Sequence, residues 1–250
     1  MREWLTLVRQ RAGWLAGQGL DLVCPPRCVF CRSDVAEHPP GPAVVCGDCH
    51  RRLACDVPRC RACGSPATGE CRRCRGRCRD WDGLVVLSGY ADEVRDAVLA
   101  AKRPGGEVMA AGLATLLVER HREQLAGWEI DLVVPVPMHW TRRLARGTSA
   151  AESLARGVAA AMGVPRRSLL ARTRVTRMQN SLPPSERRAN VQHAFRAARA
   201  AGGRRILLVD DVTTTGGTLS ACRAALVAAN ARAVFAAVAA RADATESNSA

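Results

Sequence analysis

Residues 206–218 read Ile206-Leu207-Leu208-Val209-Asp210-Asp211-Val212-Thr213-Thr214-Thr215-Gly216-Gly217-Thr218. The apolar, β-branched run 206–209 has the length of a buried strand, and Leu219–Ala229 then reads as a helix. Ligands of doubly wound sheets sit where a strand's carboxyl end feeds the next helix, so the hydroxyl- and glycine-rich stretch stands at a ligand position. Gly216 and Gly217 permit a tight turn and close backbone approach. The exposed amides of such a turn hold a phosphate, and Thr214, Thr215 and Thr218 add hydroxyl donors. Asp210 and Asp211 would repel a bare phosphate; they suit sugar hydroxyls or a Mg²⁺ carried in by a polyphosphate. No Gly-Lys-Ser/Thr occurs here and the carboxylates precede the glycines, which excludes a Walker A loop. The alternative is an ordinary strand-to-helix turn with an aspartate cap.

Working outward, strand and helix patterns alternate. Leu84–Leu87 reads as a strand and a helix runs from after Tyr90 to Ala101, stopped by Pro104-Gly105-Gly106. Residues 107–121 read as a second helix and Ile130–Val134 as a strand closed by Pro135 and Pro137. Ser149–Met162 reads as an alanine-rich helix ended by Gly163, and Ala233–Ala239 as a last strand. The polar, basic segment 172–190, broken by Pro183-Pro184, reads as a mobile loop. The expected architecture is an α/β sheet flanked by helices.

The first third is different. Twelve cysteines are present, and eight fall in Cys-x2-Cys pairs: Cys28/Cys31, Cys46/Cys49, Cys60/Cys63 and Cys71/Cys74. A two-residue spacer lets both thiolates of one turn face one ion, and four thiolates close a tetrahedral zinc site. Closed sites leave no position for a substrate water, so two structural Zn²⁺ ions are expected rather than catalytic ones; a disulfide framework and an iron–sulfur arrangement are the alternatives. Cys24, Cys55 and Cys78 leave the partition of ligands open, and Cys222 reads as a packed small hydrophobe. Reduced cysteines fit an intracellular chain.

The domain organisation expected is an amphipathic segment over 1–23, a double zinc ribbon over 24–80, a sheet domain over 81–241 and a disordered tail over 242–250. In 250 residues with 48% hydrophobic content there is enough chain for one substantial core and an appendage. The first 20 residues lack a continuous apolar stretch of the kind a secretory signal needs, and no run is long enough to span a membrane. The formal charge is +14; eight thiolates around two Zn²⁺ would bring it to about +10, which still suits nucleic acid or an anionic small molecule. Aromatics make up only 4%, which argues against an extensive base-stacking platform.

The acidic-Thr-Gly loop resembles the ribose-5-phosphate and pyrophosphate loop of type I phosphoribosyltransferases. Joined to the cysteine-rich front end, it resembles the ComF family of competence-related and GntX-like proteins over about residues 24–240. The matching positions are the Cys knuckles, Tyr90, Lys102, Val133-Val134-Pro135-Val136-Pro137, Arg146-Gly147, Gln179, Arg187, Asn190-Val191 and 206–218. The resemblance implies a type I phosphoribosyltransferase-like sheet and a site for 5-phosphoribosyl 1-diphosphate with Mg²⁺. In it Asp210 and Asp211 would meet the ribose hydroxyls or organise the Mg²⁺-bound substrate. Thr213, Thr214, Thr215, Gly216, Gly217 and Thr218 would surround the 5-phosphate, and the Val136-Pro137-Met138-His139 turn would form the pyrophosphate loop. Arg146 would stand at the site edge, and Lys102 and Arg187 would direct charge toward the phosphates, Lys102 being equally well placed as a helix C-cap. The residues Thr148-Ser149-Ala150 depart from the bulky residue and Asn-Gln that the family commonly has there, which weakens transfer of acceptor specificity. Three functions follow: pentosyl transfer to an unknown acceptor, a non-catalytic DNA-uptake module, or a structural protein that senses 5-phosphoribosyl 1-diphosphate by binding it. The module would bind single-stranded DNA, through ribbon arginines such as Arg51, Arg52 and Arg59, or a partner such as a DNA-uptake helicase. The location implied is cytoplasmic, including the periphery of a membrane-associated uptake assembly.

Overall fold

A computed structural model describes residues 25–35, 42–54, 57–75, 81–138, 149–172 and 194–242. Four parallel strands form the main sheet: β1 (Gly83–Gly89), β2 (Leu132–Pro135), β5 (Arg205–Thr213) and β6 (Ala233–Arg241), in the order β1-β6-β5-β2. Two three-residue strands, β3 (Leu170–Arg172) and β4 (Phe195–Ala197), pair antiparallel beside it. The helices are α1 (Gly47–Leu53), α2 (Asp92–Ala101), α3 (Glu107–Arg120), α4 (Arg122–Gly127), α5 (Ala150–Met162) and α6 (Gly217–Ala228).

Parallel strands covered on both faces need apolar residues at every position, and the period of two sorts them into two cores. Leu207, Val209, Phe235, Ala237, Val85, Leu87 and Val133 pack toward α3 and α5. Ile206, Leu208, Val234, Ala236, Val238, Leu84 and Val86 pack with Leu219, Cys222 and Leu226 of α6 and with Phe195 of the small hairpin. Cys222 is therefore the packed hydrophobe its context suggested.

The deciding strand is longer than its apolar run. β5 continues through Asp210 and Asp211 to Thr213 because β6 goes on pairing with it: Asp210 is in register with Val238, Val212 with Ala240 and Thr213 with Arg241. On the other side β2 ends at Pro135, paired with Val209. The acidic pair thus lies on the strand and not beyond it, and among the described residues it is paired to a strand on the β6 side only.

α5 starts at Ser149, whose Oγ accepts the Glu152 amide at 3.4 Å, and stops at Gly163 in the left-handed region, with the Val164 amide returning to Ala159 O at 3.1 Å. The edge of the sheet at β1 is partly closed by His121, whose Nε2 lies 3.2 Å from the Val86 carbonyl, and by the second cysteine ribbon. No described helix is long and apolar enough to cross a membrane.

Candidate functional site

The cysteines sort into two sets of four, Cys28/Cys31/Cys46/Cys49 and Cys60/Cys63/Cys71/Cys74, each with its ligand atoms within 4.8 Å of one another. The pairs do not interleave; Cys24, Cys55 and Cys78 lie outside the described residues. The two ribbons repeat one local geometry. Cys28 N donates to Ser33 O and Arg32 N to Cys28 O, as Cys60 N does to Ser65 O and Gly64 N to Cys60 O. The turn residue is left-handed in both, Arg32 at φ 64° and Gly64 at φ 73°. Cys46 also caps α1, its Sγ accepting the Cys49 amide at 3.4 Å. Ser33 draws the Cys31 thiol down to about 6, while burial pushes Cys49 up to about 12. Four sulfurs so close suit one divalent cation that favours thiolate at all four.

Both ribbons dock on the sheet domain. A Cβ at Gly112 of α3 would come within 2.5 Å of Val29 Cγ2 and 2.8 Å of Phe30, so only glycine admits the first ribbon there. Cys28, Cys49 and Leu53 belong to the core beneath it. In the second, Arg241, 3% exposed at the end of β6, donates to the Cys63 carbonyl, and a Cβ at Gly64 would lie 2.7 Å from Val86 Cγ2.

At the carboxyl end of β5, strand alternation turns the two carboxylates to opposite faces. Asp210 is 9% exposed, and burial, then the neighbouring Asp211 charge, pushes its carboxyl well above the ordinary range. Its Oδ1 accepts the Asp211 amide at 2.9 Å. Asp211 faces the other way and meets Lys102 Nζ at 2.9 Å, with side-chain exposures of 21% and 27%. Lys102 closes α2 as its C-cap, its N–H bonded to Leu99 O at 3.2 Å. The backbone of Lys102 caps the helix, while its ammonium crosses to the sheet and pairs with Asp211.

After Thr213, which is buried, Thr214 is half-buried and Thr215 exposed. Gly216 takes φ 78°, a conformation a β-carbon disfavours, and caps α6 without any side-chain hydrogen bond to the helix amides. Gly217 is buried as the first residue of α6, and Thr218 is half-buried. Beside them, Val136 donates to Val209 O at 2.9 Å, which holds the Val136-Pro137-Met138 turn next to Asp210; Val136 is buried, Pro137 and Met138 half-buried. The structure therefore gathers Lys102, Val136–Met138, Asp210, Asp211 and Thr213–Thr218 at one end of the sheet. His139, Arg146, Gly147, Gln179, Arg187 and Asn190 lie outside the described residues. Arg241 escaped the sequence reading; a lone arginine ending an otherwise apolar strand was the available signal.

A family model described as the phosphoribosyl transferase domain matches residues 106–249. The chain is 30% identical over 206 residues to the DNA utilization protein YhgH of Escherichia coli (strain K12), which covers 80% of this chain and 89% of that one. It is 28% identical over 204 residues to Competence protein F of Haemophilus influenzae, covering 78% and 87%. Among solved structures, the allosteric regulatory enzyme of purine biosynthesis aligns with 53% of this chain and 26% of its own, at 25% identity and TM-score 0.38.

Proposed function

The chain belongs to the ComF competence family and carries a phosphoribosyl transferase domain, and from that premise we propose that it works in DNA utilization as a module that binds single-stranded DNA. The observation that carries this reading is the similarity to a DNA utilization protein over 89% of that protein's length and 80% of this chain. The ribbons supply a rigid basic surface. Two of the arginines considered from sequence are committed to ion pairs, Arg51 with Asp48 and Arg52 with Glu93 at 3.2 Å. Arg59 turns inward to the Gly64 carbonyl at 3.1 Å. Arg72 and Arg75, exposed on the knuckles of the second ribbon, are better placed for phosphates. Each four-cysteine set would hold one structural Zn²⁺, which fixes those knuckles and supplies no reactive position.

Within this module the loop at the end of β5 would hold a 5-phosphoribosyl 1-diphosphate. The amides around Gly216 and the α6 N-terminus suit its 5-phosphate. Burial favours the protonated form of Asp210, which would donate to a ribose hydroxyl. Asp211, the more open carboxylate, suits the ribose or the Mg²⁺ that accompanies the diphosphate, whose chemistry is to neutralise the leaving group.

A second reading, pentosyl transfer to a nitrogen acceptor, is supported by the Lys102–Asp211 pair, whose ammonium would stand beside a sugar held by Asp211. One experiment separates the two. The zinc-loaded chain is incubated with Mg²⁺, 5-phosphoribosyl 1-diphosphate and a panel of bases, and pyrophosphate is measured beside single-stranded DNA binding. The module reading expects salt-sensitive DNA binding and ligand binding without pyrophosphate. Nucleotide formation lost in Asp210→Asn and Asp211→Asn would establish transfer instead.

A further inference from the structure

A cleft of 390 Å³ lies at the opposite end of the sheet from the phosphoribosyl loop, lined by Arg61, Ala62, Trp81, Asp82, Gly83, Gln124 and Trp128. Its volume falls in the range of small-molecule clefts, roughly 300–1,000 Å³. Two of the chain's five tryptophans line it, although aromatics are scarce overall. Neither is fully buried.

Trp128 is held rigidly. Its ring stacks on Phe235 at 4.6 Å between centroids and 19° between planes, and its carbonyl accepts Arg205 Nε at 2.8 Å. The indole also lies against Gly83, where any side chain would collide with it. A fixed aromatic surface has little conformational entropy left to lose when a flat ligand arrives. Asp82 is anchored too, its Oδ2 accepting the Val234 amide at 2.8 Å.

Charge decides what kind of flat ligand fits. Arg61 and Asp82 face the same cleft and cancel, so a phosphate gains little inside it. A neutral planar group gains two indoles, and Gln124 offers both a donor and an acceptor to a base edge. Arg61 sits between Cys60 and Cys63, on the same ribbon as the exposed Arg72 and Arg75, so a strand entering the cleft has backbone cations beside it.

We infer that the Trp81–Trp128 cleft takes one base of a single-stranded nucleic acid whose backbone runs along the second ribbon. This rests on the DNA reading above and adds where a base would seat.

The test is anisotropy of a labelled oligothymidylate titrated with the full zinc-loaded chain, comparing wild type with Trp81→Ala, Trp81→Phe and Gln124→Ala. The inference expects about tenfold weaker binding for Trp81→Ala, recovery in Trp81→Phe, and a smaller loss for Gln124→Ala, with duplex DNA of equal length indifferent to all three. Circular dichroism and zinc content establish that each variant is folded. Wild-type binding that Trp81→Ala and Gln124→Ala leave within twofold overturns the base cleft and spares the DNA reading. Absence of single-strand binding by the wild type overturns both.

Discussion

Asp210 and Asp211 are neighbours in sequence with different chemistry because a strand turns consecutive side chains to opposite faces. Asp210 is enclosed against α6, and burial favours its protonated form. Below the ordinary carboxylate range, about 3.9, folded and unfolded chains both carry the proton and no penalty arises. As pH rises toward the raised native value the unfolded chain ionises first, and stability falls. Asp210→Asn lacks that loss, so its Tm should exceed wild type at pH 7 to a degree that shrinks as pH is lowered toward about 4. A constant difference across a pH series of thermal melts would mean that Asp210 is not held protonated. Lys102→Met removes the partner of a partly buried Asp211; urea unfolding should show a loss of about 1 kcal/mol.

At the scale of elements, Gly112 is where helix and ribbon meet. Gly112→Ala gains helix propensity but drives a methyl into Val29 and Phe30, and overpacking of this kind costs about 1–3 kcal/mol. A stabilised variant would show that the first ribbon is not seated on α3. Elements with strong local signals were legible: the helix over 150–162 announces itself by Ser149, Glu152 and Gly163, and the four Cys-x2-Cys turns by spacing alone. Three features had no such signal. The extension of β5 through two aspartates depends on its neighbour β6. The three-residue strands β3 and β4 are too short for a period to register, and each needs the other. α4, six residues long, carries only Leu125 into the core. The candidate site was legible as residue types in order; the opposite orientations of its carboxylates and the pairing of Lys102 with Asp211 required the sheet.

Across the whole molecule, the ribbons are part of the sheet domain's construction. Cys28, Cys49 and Leu53 complete one of its cores, and Arg241 joins the second ribbon to the strand end that pairs with Thr213 of the loop. Removing zinc with a strong chelator should therefore lower the Tm of the whole chain, not merely release an appendage. Calorimetry showing an unchanged main transition in the chelated protein would mean that the two parts fold independently. The same construction presents arginines of the second ribbon on a rigid knuckle at one side and the phosphoribosyl loop at the end of β5. The most direct measurement is binding of a labelled single-stranded oligonucleotide to the zinc-loaded chain between about 50 mM and 200 mM salt, for wild type and for Arg72→Ala with Arg75→Ala. The expected result is a log–log slope near −0.7 per phosphate neutralised, reduced by about 1.4 in the double variant. Undetectable binding, or binding indifferent to salt, would remove the chain from direct contact with DNA.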